Sequence, residues 1–164
     1  MVPLARQKLR FVGDIVRSPV HGRVAATNFR LASLSIETPV YQPHTIVAPV
    51  DGTVLHIDAC NGQLQNGLFA SERDKEASLM LHILCAKSEQ MITLVLVVKP
   101  HGATARLRLW LTPGGTLRTG TIIGYAGGKF ETRVVFPPNV FLATQVGTDV
   151  HGLRSTLGTV YRTV

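Results

Sequence analysis

Three sets of side chains in this sequence are of the types that chemistry needs. Six histidines stand at positions 21, 44, 56, 82, 101 and 151. Zinc chemistry asks for closely spaced ligands such as His-x-His or His-x-x-x-Asp, and neither spacing is present, so His21, His44 and His82 could meet only through the fold. No metal is therefore expected. Cys60 and Cys85 lack CxxC spacing and a histidine-rich partner segment, and are read as two reduced thiols. The third set is the polar pair Glu131-Thr132 in "GGKFETRVVFPP", between Phe130 and the β-branched run Arg133-Val134-Val135, at a place where a turn would take glycine. On pattern alone, Thr132 is a strand residue of high β propensity, and His44, ahead of an Ala-Pro turn, is a hydrogen-bonding loop residue.

The elements that position these groups read as short strands. Glycine and proline recur at short intervals, and between them lie β-branched runs such as "GRVAATNF", "GTVLHIDA", "MITLVLVV", "GTIIGYA" and "GTVYRTV". In "ARLRLWL", Leu107, Leu109 and Leu111 share one face while Arg106, Arg108 and Trp110 share the other, which predicts a half-buried strand with a basic outer side. Arg106 and Arg133 are the expected ligand-facing charges on such strands. Only residues 3–16 and about 70–80 look helical, the second opened by Ser71 as N-cap.

Two loose repeats add to this reading. "SPVHGRV" and "APVDGTV" each place a Pro-x-x-Gly turn before a β-branched strand, and "TPGGTLRTGTIIGYAGG" is echoed by "ATQVGTDVHGLRSTLGTV". Hairpins of this kind, with glycines supplying positive φ at the corners, build barrel-sandwich architectures. The expected fold is mainly β: one compact barrel-sandwich domain over residues 1–164, resembling a duplicated hybrid motif, with one or two short helices and an N-terminal arm or helix over 1–16.

Bulk properties narrow the function classes. At 164 residues and 45% apolar content, the chain can bury one substantial core. Its 17 Lys and Arg against 10 Asp and Glu leave a net +7, which favours an anionic partner such as a phospholipid surface. The arginines are dispersed and aromatics are scarce, so nucleic acid is not expected. No apolar run reaches the length of a membrane span, and the basic start lacks a signal-peptide core. A cytoplasmic protein, peripheral at the inner membrane, is the expectation.

The order of motifs resembles the catalytic part of short bacterial and archaeal phosphatidylserine decarboxylases over about residues 17–160. "SPVHGRV" is similar to that family's Ser-Pro-Ala-Asp-Gly-Arg-Val, with His21 at the acidic position. "HTIVAPVDGTV" keeps the family's histidine as His44. "NGQLQNGLFASERD" and "KPHGATARLRLW" follow in the family's order, and "GKFETRVVFPP" stands where the family has Phe-Gly-Ser-Arg-Val and a proline-ended strand.

In that family a serine attacks the preceding glycine carbonyl, the chain breaks, and the serine becomes a pyruvoyl group that serves as electron sink for decarboxylation. The resemblance implies that His21, His44, Glu131 and Thr132 occupy the catalytic positions, with His44 as general base. Thr132 attacking Glu131 would leave a 2-oxobutanoyl group, the one ketoacyl cofactor expected, and only if processing occurs. Glu131 opposes that step: glycine tolerates a strained backbone that a Cβ restricts, and a carboxylate sets negative charge beside the developing oxyanion. His21 also removes the carboxylate that would orient His44. The expectation is a phosphatidylserine-decarboxylase-like protein with lost or altered processing; a carboxy-lyase if active, otherwise a lipid-headgroup or small-ligand module. Its further partners would be a second copy or an active paralogue.

"APVDGTV" followed by His82 in "LMLHIL" also resembles the glucose-type enzyme IIA phosphocarriers. Their second histidine has no counterpart in "CNGQLQNG", so His82 is expected to pack inside an apolar strand.

Overall fold

The glycine-flanked, β-branched runs form strands throughout a computed structural model of the chain, which describes residues 10–28, 30–38, 44–71, 76–98, 106–128, 130–152 and 154–163. In chain order these are β1 (Phe11–Arg17), β2 (Gly22–Asn28), β3 (Ser33–Glu37), β4 (His44–Val47), β5 (Gly52–Cys60) and β6 (Gly62–Gln65). There follow β7 (Leu68–Ser71), β8 (Ala77–Cys85), β9 (Met91–Val98), β10 (Arg106–Leu109) and β11 (Thr116–Leu117). The last are β12 (Ile122–Gly127), β13 (Phe130–Val135), β14 (Val140–Leu142), β15 (Asp149–Val150) and β16 (Thr156–Thr163).

They make three sheets. The largest has eight strands in the order β11-β5-β8-β9-β13-β3-β2-β15; a five-stranded sheet runs β4-β12-β10-β7-β6, and a three-stranded one β1-β16-β14. Every strand pair is antiparallel, so each strand is free to alternate an apolar and a polar face. One continuous hydrophobic cluster joins the three sheets: Val16 and Val160 come from the smallest, Ile46, Leu107 and Ile123 from the middle one, Leu79 and Leu96 from the largest. Each such side chain, fully buried, contributes about 1.5–3 kcal/mol. The barrel-sandwich expectation thus holds.

Register carries the core across the large sheet. Leu79, Leu96, Thr132, Ile36 and Val24 lie side by side on β8, β9, β13, β3 and β2, all with no exposed surface. One residue along each strand the chain turns its other face outward: Met80, Val95, Arg133 and Ser35 form the neighbouring row.

The Pro-x-x-Gly repeat has a steric reason. A Cβ at Gly22 would strike the Glu37 carbonyl, and one at Gly52 the Leu84 carbonyl, so both strands begin where a neighbouring backbone crosses too close for any other residue. Gly114, Gly120 and Gly147 take the left-handed φ values of 86°, 87° and 87° expected of the second repeat, whereas Gly152 does not.

The helices do not appear among the described residues. Where one was expected over 3–16, Phe11–Arg17 is a strand paired with β16, because its period is two: Asp14 and Val16 are buried while Phe11, Gly13 and Ile15 are exposed. Residues 1–9 lie outside the described ones. Where the second was expected, β7 ends at Ser71 and β8 starts at Ala77 with strict alternation; residues 72–75 lie outside the described ones. No described helix is long and apolar enough to cross a membrane.

Two carboxylates tie loops to this frame. Asp14, 5% exposed, accepts the Lys87 and Ser88 N–H groups at 3.1 and 2.6 Å, which fastens β1 to the β8–β9 turn. Replacing Asp14 with alanine leaves the buried Ser88 N–H and the part-buried Lys87 N–H without their acceptor. Asp14→Ala should lower unfolding free energy by about 1–3 kcal/mol in urea titration.

Asp51 accepts the Thr119 N–H and hydroxyl at 2.7 and 2.9 Å. These bonds favour the ionised form and hold its carboxyl below the ordinary range, the backbone bond contributing most. A carboxyl lowered on folding stabilises the native state above its unfolded pKa and loses that contribution as pH falls through its folded pKa. Asp51→Asn should therefore flatten the acid limb of the stability profile, measured by urea unfolding across a series of acidic buffers.

Candidate functional site

His21 and His44 meet in one cleft. His21 closes the Pro-x-x-Gly turn before β2, and His44 opens β4; the Val47 N–H bonds the Pro19 carbonyl at 2.9 Å and draws the two segments together. The cleft has a volume of about 500 Å³ and is also lined by Arg23, Glu37, Thr38, Asp149 and His151.

His21 Nδ1 accepts the Gly152 N–H at 3.3 Å, which places its own proton on Nε2. His151 packs edge-on against it with ring centroids 5.6 Å apart. Arg23 Nε donates to Asp149 Oδ1 at 3.2 Å across the β2–β15 pair, with both side chains about two-thirds exposed at 67% and 68%. His44 lies tilted against the Phe130 ring at 6.1 Å, and Thr38 Oγ1 donates to the Phe130 carbonyl at 3.1 Å. The start of β13 therefore reaches the edge of the cleft.

Alternation then separates the four catalytic candidates. Phe130 and Thr132 face the core while Glu131 and Arg133 face the opposite side of the sheet. Thr132 has no exposed surface, and its Oγ1 has no hydrogen-bond partner among the described residues, so neither histidine holds its proton. Glu131 instead accepts from Arg133 Nε and Nη2 at 3.2 and 3.3 Å. That hydrogen bonding, first of all, pushes the Arg133 guanidinium above its already high range. The cleft thus gathers His21 and His44 and leaves out Thr132 and Glu131.

The ligand-binding candidates also part. Arg133 lines a different groove, on the outer face, and Arg106 sits in β10 opposite Gly127, its side chain outside the described ones. His82 departs from the expected packing inside an apolar strand. It does not pack into the core: it stands on the outer face of β8, with Nε2 3.0 Å from Asp58 Oδ2 and Nδ1 3.2 Å from Thr93 Oγ1. Both cysteines are free. Cys60 is exposed, whereas burial and then the nearby Asp14 push the Cys85 thiol up to about 12, which leaves it inert.

Neither His151 nor Asp149 was singled out from sequence; for Asp149 no signal existed, but for His151 one did. Val-His-Gly occurs twice, at 20–22 and 150–152, and both valines are buried while both histidines turn into the same cleft. Arg23 and Glu37 carried no such mark.

No family model matches the chain, and neither a curated protein nor a solved structure does. Among the described residues no group of three or more His, Cys, Asp or Glu side chains is arranged to hold a metal ion.

The unpartnered Thr132 hydroxyl has a measurable consequence. Thr132→Val replaces it with a methyl of the same shape, and should raise the unfolding free energy by about 1–2 kcal/mol in urea titration.

Proposed function

We propose that the chain is a phosphatidylserine-decarboxylase-like protein that does not process itself and binds a small zwitterionic headgroup in the His21–His44 cleft. The observation that carries this reading is the setting of the Glu131–Thr132 peptide. It lies within β13, between β9 on one side and β3 on the other, where ladder pairing holds the backbone extended. Self-cleavage needs a hydroxyl aimed at the preceding carbonyl and a base on its proton. Thr132 Oγ1 is buried in the core with no base beside it among the described residues. A glutamate in place of glycine adds a negative charge to a site that would have to stabilise an oxyanion.

The cleft's own charges favour a ligand of both signs. Glu37 and Asp149 suit an ammonium group, and Arg23 with the Nε2–H of His21 suits a phosphate or carboxylate. An amino-acid-like headgroup carries both within the reach of such a cleft. The net charge of +7 would bring the protein to the anionic phospholipid surface where such headgroups are found.

Intact-mass spectrometry of the purified chain should show one species of about 17.8 kDa. Two fragments divided between Glu131 and Thr132 would overturn the non-processing reading and restore the ketoacyl carboxy-lyase. Titration calorimetry with O-phosphoserine should show binding that weakens about tenfold in Asp149→Asn, the loss of one charge-assisted contact. Equal affinity for inorganic phosphate alone would rule out recognition of the amine.

A further inference from the structure

A second constellation, sharing no residue with the His21–His44 cleft, stands on the outer face of the eight-stranded sheet. Residues two apart on a strand share a face, so His56 and Asp58 of β5 project together. Register sets His56 opposite His82 of β8, and His82 opposite Thr93 of β9. Three neighbouring strands thereby line up a carboxylate, an imidazole and a hydroxyl.

The order of contacts is that of an activated nucleophile. Asp58 Oδ2 lies 3.0 Å from His82 Nε2, and a carboxylate can only accept, so the imidazole proton is held on Nε2. Nδ1 then offers its lone pair to the Thr93 hydroxyl 3.2 Å away. A nucleophile in hydrogen-bond reach of a base, itself oriented by a third group, is the arrangement that makes a weak hydroxyl reactive. The group is open to reactants: the His82 and Asp58 side chains are 21% and 67% exposed.

Beside it runs a groove of about 910 Å³ whose apolar lining includes Met80, Val95, Val135 and Leu31. Met80 lies two residues from His82 and Val95 two from Thr93, each on the same strand face, and Val135 is the cross-strand partner of Thr93. An alkyl chain lying in the groove would bring its head to the hydroxyl.

We propose that Thr93 is an acyl acceptor, taking the acyl group of an activated ester whose chain occupies this groove. Thr93 Oγ attacks the ester carbonyl carbon as its proton passes to His82 Nδ1, and Asp58 stabilises the imidazolium that forms. The tetrahedral centre collapses, the ester C–O bond breaks, and the proton leaves His82 with the departing alkoxide or phenolate. The products are an acyl-threonine and an alcohol. β9 is paired on both sides, with β8 and β13, so its backbone donors serve the ladder. Neither the acylation nor the hydrolysis oxyanion gains a donor from β9, and the activated ester reacts faster than the unactivated acyl-threonine ester it forms, so one equivalent accumulates.

The test is incubation of the full chain with p-nitrophenyl octanoate and p-nitrophenyl acetate, counting phenolate released and locating the acyl group by peptide mapping. The expected result is one equivalent on Thr93, formed about tenfold faster from the octanoyl ester. Thr93→Val should abolish it and His82→Gln should slow it about a hundredfold. Asp58→Asn should slow it to a lesser degree, and Met80→Glu should lower the octanoyl rate more than the acetyl rate. Circular dichroism checks that each variant is folded; should Thr93→Val not fold, His82→Gln decides. No acylation, acylation confined to Cys60 or lysines, or a Thr93 rate unchanged in His82→Gln would each overturn the proposal.

Discussion

Because successive residues of a strand point to opposite sides, the placement of β13 between β3 and β9 decides what every side chain in Phe130–Val135 can do. Thr132 enters the core beside Leu96 and Ile36, and Glu131 leaves it to meet Arg133. A slip of one residue would bury Glu131 and Arg133 and expose Phe130, at a cost of several kcal/mol from the buried charges alone. The register is accordingly held by the core, and the core in turn denies Thr132 any approach to a base.

The same period builds the outer face. With the inner rows committed to Leu, Ile and Val, the outer rows are free to carry polar and charged groups, and register rather than sequence proximity pairs them. Asp58, His82 and Thr93 come from three strands, and His21 and His151 come from turns at opposite ends of the chain. Asp14 shows the complementary device, a buried carboxylate joining the small sheet to a turn of the large one through backbone donors that would otherwise lack partners.

Much of the fold was legible because its signals are local. β-branched runs bounded by glycine and proline, the alternation in "ARLRLWL" and the two Pro-x-x-Gly turns each predict a strand or corner from a few residues. The helical reading failed over 11–16 and 77–80, where single-face periodicity over short windows fits either structure and tertiary pairing decides; β16 and β9 supply it. Of the cleft, His21 and His44 were legible through their turns, and His151 was marked by the repeated Val-His-Gly. Arg23 stands in the Gly-Arg-Val of the first turn motif but was not marked as a site residue, and Glu37 and Asp149 look like any exposed strand charge until the sheet folds them to one edge.

By itself, then, the sequence determined a β architecture with glycine corners, one apolar core, a basic surface and a pair of polar residues at a place where a glycine was expected. Only the tertiary structure decided that Thr132 faces inward while His44 stays outside, that His82 stands on the outer face with Asp58 and Thr93, and that two distant Val-His-Gly turns share a cleft. The reason is physical: strand identity follows from the preferences of neighbouring residues, whereas the meeting of side chains depends on strand order and register, which are settled by the packing of the whole core.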